Sequence, residues 1–200
     1  MTVDPPPTPN PLVWFPDTSF LYSASVSEEL FTDVRAVLER HPVAYLKIVA
    51  GELSAPDIGG WQGMAGTVLG AYAWLGDPVE IRTSKVLSAA RDIQLEVANS
   101  RPLRWDGEHL AEATIIAVAE TAQRSSPIML SEDYDARVAA INHGIKAMSI
   151  HRLLHNMVRQ NTISSARAFE HSEAIRKAKR GPEVTEEELT RGRLGRIGKP

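Results

Sequence analysis

Hydrophobic positions along this chain fall into short, uninterrupted apolar runs separated by longer stretches with helical spacing. LVWF (12–15) reads as a buried strand that stops at Pro16-Asp17-Thr18-Ser19. Between residues 28 and 40, apolar side chains recur at Leu30, Phe31, Val34, Val37 and Leu38, one face of a helix, and Pro42 ends it. Residues 43–48 read as a strand leading into IVAGELSAP, where Pro56 stops any helix begun there. The small-residue stretch 59–76 predicts a tightly packed helix, VEIRT (79–83) a strand, and residues 84–99 a helix with Ser84 as N-cap. Further on, the pattern predicts a helix over 108–124, a strand at PIML (127–130) and a helix over 135–143 closed by Gly144. A strand at IKAMSI (145–150) and a helix over 151–160 follow. Strands alternating with helices of this length predict an α/β fold with a parallel sheet covered on both faces.

This pattern occupies residues 12–164, set between a proline-rich leader (1–11) and a charged C-terminal extension (165–200), partly helical or disordered. Within the extension, Thr185 followed by Glu188 is a capping box. Its basic residues, Arg180 among them, are interleaved with glutamates and read as a solvated surface. Charge changes the picture little, since 22 Lys+Arg against 25 Asp+Glu gives −3 and does not announce a nucleic-acid binder. The lack of cysteine excludes disulfides, thiolate metal sites and cysteine nucleophiles. No apolar stretch is long enough to span a bilayer and the N-terminus lacks secretory features, so a cytoplasmic protein without membrane contact is expected.

The candidate chemistry lies in carboxylates. Glu112 is the single charge within LAEATIIAVA (110–119), a helix too apolar to leave it in water. A buried carboxylate must be paired, metal-bound or protonated, and no Lys or Arg lies within four residues of it. Glu52 follows an apolar stretch and a glycine, while Asp17 and Asp133 sit just beyond predicted strands. In a parallel sheet the strand C-termini share one edge, where ligands of open α/β folds bind. Singly, Asp17 and Asp133 read as N-caps, Glu52 as an exposed helix residue and Glu112 as one half of a distant ion pair. Together, the four would repel one another unless a hard divalent ion such as Mg²⁺ or Mn²⁺ joined them.

DTSFL (17–21), VAGELSAP (49–56), EATIIAVA (112–119) and LSEDYDARVAAINHGIKAMSIHRLLHNMV (130–158) resemble the successive motifs of PIN-domain nucleases. That family includes the VapC-like toxin ribonucleases of toxin–antitoxin pairs, and the resemblance runs over residues 12–164. It implies a three-layer α/β/α domain with a central parallel sheet and an Mg²⁺- or Mn²⁺-dependent endoribonuclease. The implied catalytic and metal-binding cluster is Asp17, Glu52, Glu112 and Asp133, with Asp135 as an additional or substitute ligand. Thr18 and Ser131 would orient carboxylates or bound water. Glu108, one turn before Glu112 and next to Gly107, competes with Glu112 for the same role. RNA substrate, an antitoxin protein and a second copy of the chain are the implied partners, with segment 59–76 as a candidate dimer face.

Two other readings compete. One is a PIN-like scaffold that binds RNA or protein without cleaving, and the other a phosphotransferase of the response-regulator or phosphatase kind. The latter ranks last, because no second Asp follows Asp17 by two residues. His151 and His155, one turn apart, read as helix-surface residues and not as metal ligands.

Overall fold

The computed structural model describes residues 11–54, 72–99, 101–122 and 125–194. Three of the expected strands pair as a parallel sheet, in the order β1 (Leu12–Pro16), β2 (Ser126–Leu130) and β3 (Lys146–Met148). β1 and β2 are in register from Leu12 opposite Ser126 to Pro16 opposite Leu130. Trp14 and Phe15 of β1 and Ile128, Met129 and Leu130 of β2 are all buried, which is why these strands are continuous apolar runs. The ladder continues past their ends: Asp17 N donates to Leu130 O (2.9 Å) and Ser131 N to Met148 O (3.1 Å). Asp17 and Ser131 are thereby brought to one edge of the sheet.

On its other side β1 meets, among the described residues, a single bridge, Trp14 to Val43, followed by one between Leu46 and Val79. The strands expected over 43–48 and 79–83 are therefore reduced to bridges. The first is cut short because α3 (Lys47–Ser54) begins at once. The second is an outer edge, with Val79 half exposed and Glu80 tied to Lys47 and Arg82 at the surface.

Nine α-helices accompany the sheet among the described residues. Besides α3 these are α1 (Thr18–Ala24), α2 (Glu28–Leu38), α4 (Ser84–Val97), α5 (Leu110–Thr121), α6 (Tyr134–Asn142), α7 (Ile150–Arg159), α8 (Ser165–Lys177) and α9 (Glu186–Arg191). None of them is long and apolar enough to cross a membrane. From β1 the chain runs through α1 and α2 to its Val43 side, whereas β2 and β3 lie on the opposite side. Because parallel crossovers are as a rule right-handed, connections running in opposite directions are expected to put α1–α2 on one face and α5–α6 on the other. The packing agrees, since α4, α5 and α6 contact one another, while α1 meets α2 and α7, and α7 meets α8 and α9. The result is a mixed α/β fold consistent with helices on both faces. β1 and β2 leave the sheet toward opposite faces, which opens a crevice beyond their C-terminal ends.

The described part of the extension packs into the same core, where Ala168, Ile175, Val184, Leu189 and Leu194 are buried. Asp33 of α2 ties α8 down, accepting from Arg167 Nε (2.5 Å) and His171 Nε2 (2.7 Å). His151 and His155 are not on the surface, being 0% and 6% exposed. The extension covers that side of α7: His155 Nδ1 donates to Leu189 O (2.5 Å), and His151 lies under Gly181. Arg180 is likewise only partly exposed, its guanidinium 5.0 Å above the Tyr22 ring. The helix expected over 59–76 lies outside the described residues up to residue 71, beyond which Ala73–Leu75 forms a 3-10 turn. Residues 1–10 and 195–200 also lie outside them.

Candidate metal centre

Asp17 leaves β1 directly into the first turn of α1, which it caps, its Oδ1 accepting from Phe20 N (2.7 Å). Ser19 Oγ donates to the same carboxylate (2.9 Å) and itself accepts from Glu132 N (3.0 Å), joining the exits of β1 and β2. Asp17 is 1% exposed. Burial pushes its carboxyl up to about 6, a rise reinforced by Asp133 and moderated by hydrogen bonds from Ser131, Phe20 and Ser19.

Asp133 caps α6 in the same way, its Oδ1 accepting from the amides of Asp135 (2.8 Å) and Ala136 (3.1 Å). Both acids placed after strands are thus helix caps, which leaves Oδ2 of Asp133 directed toward other partners. Glu52, in α3, accepts a hydrogen bond from Thr18 Oγ1, and burial raises its carboxyl above the ordinary range. Glu112 stands in the first turn of α5. Its pKa is raised well above the usual value, by burial first and then by the charges of Asp17, Glu52 and Asp133. Among the described residues no lysine or arginine forms an ion pair with it.

The fold therefore brings Asp17, Glu52 and Asp133 into the electric field of Glu112, although the four come from different parts of the chain. Three side chains, those of His109, Glu112 and Asp133, can offer ligand atoms within 4.8 Å of one another and could hold a metal ion. Asp135 is exposed, contributes its amide to the cap, and stands outside this group. Glu108 is occupied elsewhere, accepting from Arg104 N (2.6 Å) and pairing with Arg101 (3.1 Å). The Arg104 amide and the neighbouring guanidiniums outweigh its partial burial and hold its carboxyl below the ordinary range.

Sequence reasoning missed three participants. His109 precedes α5 in a left-handed conformation (φ 60°), uncommon for a residue with a side chain, with Nδ1 3.6 Å from Asp133 Oδ2. Its spacing of three residues before Glu112, one helical turn, was the available signal. Glu132 accepts from Ile150 N (2.7 Å), and burial raises its carboxyl to about 7 against the opposing pull of that amide and of Arg137. Arg137, 2% exposed, donates through Nη1 to the Ser131 carbonyl (2.9 Å) and braces the turn that carries Asp133.

Comparison with protein-family models, with curated proteins and with solved structures found no match for this chain.

Proposed function

We propose that the chain is a divalent-metal-dependent endoribonuclease with a three-layer PIN-like fold, and that Asp17, Glu52, Glu112 and Asp133 form its reaction centre. The observation that carries this reading is the convergence of the four acids at the crevice where β1 and β2 part, with Glu112 repelled by the other three. Carboxylates crowded in this way suit a hard cation, and the donor set fits Mg²⁺ or Mn²⁺. Glu112 and Asp133 would hold it, with Asp17 and Glu52 beside them. When bound, such an ion lowers the pKa of coordinated water and neutralises phosphodiester charge.

The protein's own groups set the orientation of the acids. Ser19 and Ser131 fix Asp17 from two sides, and Thr18 holds Glu52. Arg101 Nη2 donates to His109 Nε2 (2.8 Å), so Nδ1 carries the imidazole proton and faces Asp133. At 3.6 Å from Asp133 Oδ2, Nδ1 is a neighbour of that carboxylate without a hydrogen bond to it, and ligation by Nδ1 would require release from Arg101.

A binding scaffold without catalysis is the second reading, favoured by the use of Asp17 and Asp133 as helix caps. The two are separated by incubating a pool of structured and single-stranded RNAs with the chain in Mg²⁺, in Mn²⁺ or in EDTA. Metal-dependent cleavage that both Asp17→Asn and Glu112→Gln abolish supports the nuclease. RNA left intact under every condition, together with no Mn²⁺ binding by calorimetry, supports the scaffold.

A further inference from the structure

Asp17 is close enough to two very different neighbours to interact with both: Asp133 of the candidate metal centre and Arg180 of the C-terminal extension. Backbone geometry fixes where Arg180 stands. Just beyond the end of α8, Lys179 takes the left-handed conformation (φ 57°), and Arg180 N returns to Ile175 O (3.0 Å). The next residue, Gly181, lies so close to α7 that a Cβ there would stand 2.8 Å from His151 Cε1 and 2.9 Å from Ile175 Cγ2. Residues 179–181 are thus held against the first turn of α7, which begins immediately beyond β3. From that position Arg180 reaches α1, the helix capped by Asp17, and places its guanidinium over Tyr22. The extension consequently carries a partly exposed cation across the C-terminal edge of the sheet, beside Asp17 and Glu132.

Arg137 cannot serve the same purpose, because it is buried and donates to the Ser131 carbonyl. A guanidinium stacked on an aromatic ring keeps its donors in one plane, and with Nε of Arg180 buried the Nη groups are the ones that suit contact with a phosphate. We propose that Arg180 is a phosphate-contacting residue, supplied by the C-terminal extension, that holds the backbone of a single-stranded RNA against the carboxylate centre. The proposal rests on the nuclease reading for its substrate class. Arg180 neutralises one backbone phosphate, and its anchoring through Gly181 means that little ordering is needed when RNA arrives.

The test measures binding of a short fluorescein-labelled single-stranded RNA in EDTA by anisotropy. It uses the full chain and its Arg180→Gln, Arg180→Lys and Arg176→Gln variants. Mn²⁺ calorimetry and thermal melts are run on the same samples. Arg180→Gln should weaken RNA binding by roughly 10- to 100-fold, while Mn²⁺ affinity stays near that of the parent. The slope of log affinity against log salt should fall by about 0.7, the loss of one single-strand phosphate contact. Arg176→Gln removes the same charge from an exposed position already held by Glu173 and should leave the affinity nearly unchanged. Should the glutamine variant melt early, Arg180→Lys decides: it keeps the charge without the fork and should bind several-fold more weakly. RNA affinity unchanged in both Arg180 variants, or no RNA binding by the parent, overturns the proposal. Loss of Mn²⁺ binding in the parent instead refutes the metal centre, a separate failure.

Discussion

Replacing Asp17 with Asn should make the metal-free protein more stable at neutral pH, although Asp17 is a buried, hydrogen-bonded helix cap. The side chain is 1% exposed and its pKa is raised from 3.8 to about 6. A carboxyl whose pKa is higher in the folded state carries no penalty below its unfolded value. The penalty grows as pH rises from 3.8 and is fully developed above about 6. The difference of about 2 units corresponds to roughly 3 kcal/mol at pH 7. Asn is as good an N-cap as Asp, so the bond from Phe20 N survives, although the charge-assisted part of the Ser19 and Ser131 contacts is lost. A net gain of about 1–2 kcal/mol is expected, equivalent to a few degrees in Tm for a chain of this size. Urea unfolding in EDTA across pH 4 to 8 measures it. The two proteins should converge at the acid end and separate above pH 6. An Asn variant less stable than the parent by the same margin at every pH would refute the claim that burial strains this carboxylate.

His143 gives a dependence of the opposite sign. Partial burial alone would lower its pKa, but hydrogen bonds to Glu120 (2.6 Å) and Glu96 (3.0 Å) outweigh that and raise it above 6.5. The stabilisation, about 0.2–1 kcal/mol for such exposed pairs, is complete below pH 6.5 and is lost as pH rises through the folded pKa; His143→Gln should remove this slope from the urea midpoint. Met129→Ala, in the middle strand at 0% exposure, should cost about 2–5 kcal/mol in urea unfolding. Gly192→Ala should loosen α9, because Gly192 has φ +67° and an added Cβ would stand 2.6 Å from His155 Nε2. Faster proteolysis beyond residue 180 reports that loosening.

β3, with Lys146 exposed and Ala147 and Met148 half-buried, was legible from its place between Gly144 and the following helix, whereas β1 and β2 were legible because burial on both faces turns each into an apolar run. The bridges at Val43 and Val79 looked like strands for the same compositional reason, but a helix start and an exposed edge leave them no room to pair. Glu112 stood out because a charge inside an apolar helix demands a partner. That its companions are Asp17, Glu52 and Asp133 depends on topology, which the parallel register supplies. Glu132 escaped notice because its amide partner, Ile150, is 18 residues away, at the start of α7. His151 and His155 were misread because the segment covering them lies more than 25 residues further along the chain, at Gly181 and Gly192. Their helix carries Ile150, Leu153, Leu154 and Met157 among the buried residues, so the histidines occupy a second buried face.

The most direct test of the metal centre is an Mn²⁺ titration followed by calorimetry, comparing the parent chain with Glu112→Gln and Glu108→Gln. Ligation at the four-acid crevice predicts a saturable Mn²⁺ site that Glu112→Gln abolishes and Glu108→Gln, which disturbs the Arg101, Arg104 and His109 contacts but none of the four acids, leaves nearly intact. Equal Mn²⁺ binding by the parent and Glu112→Gln, or none by any of the three, would contradict it.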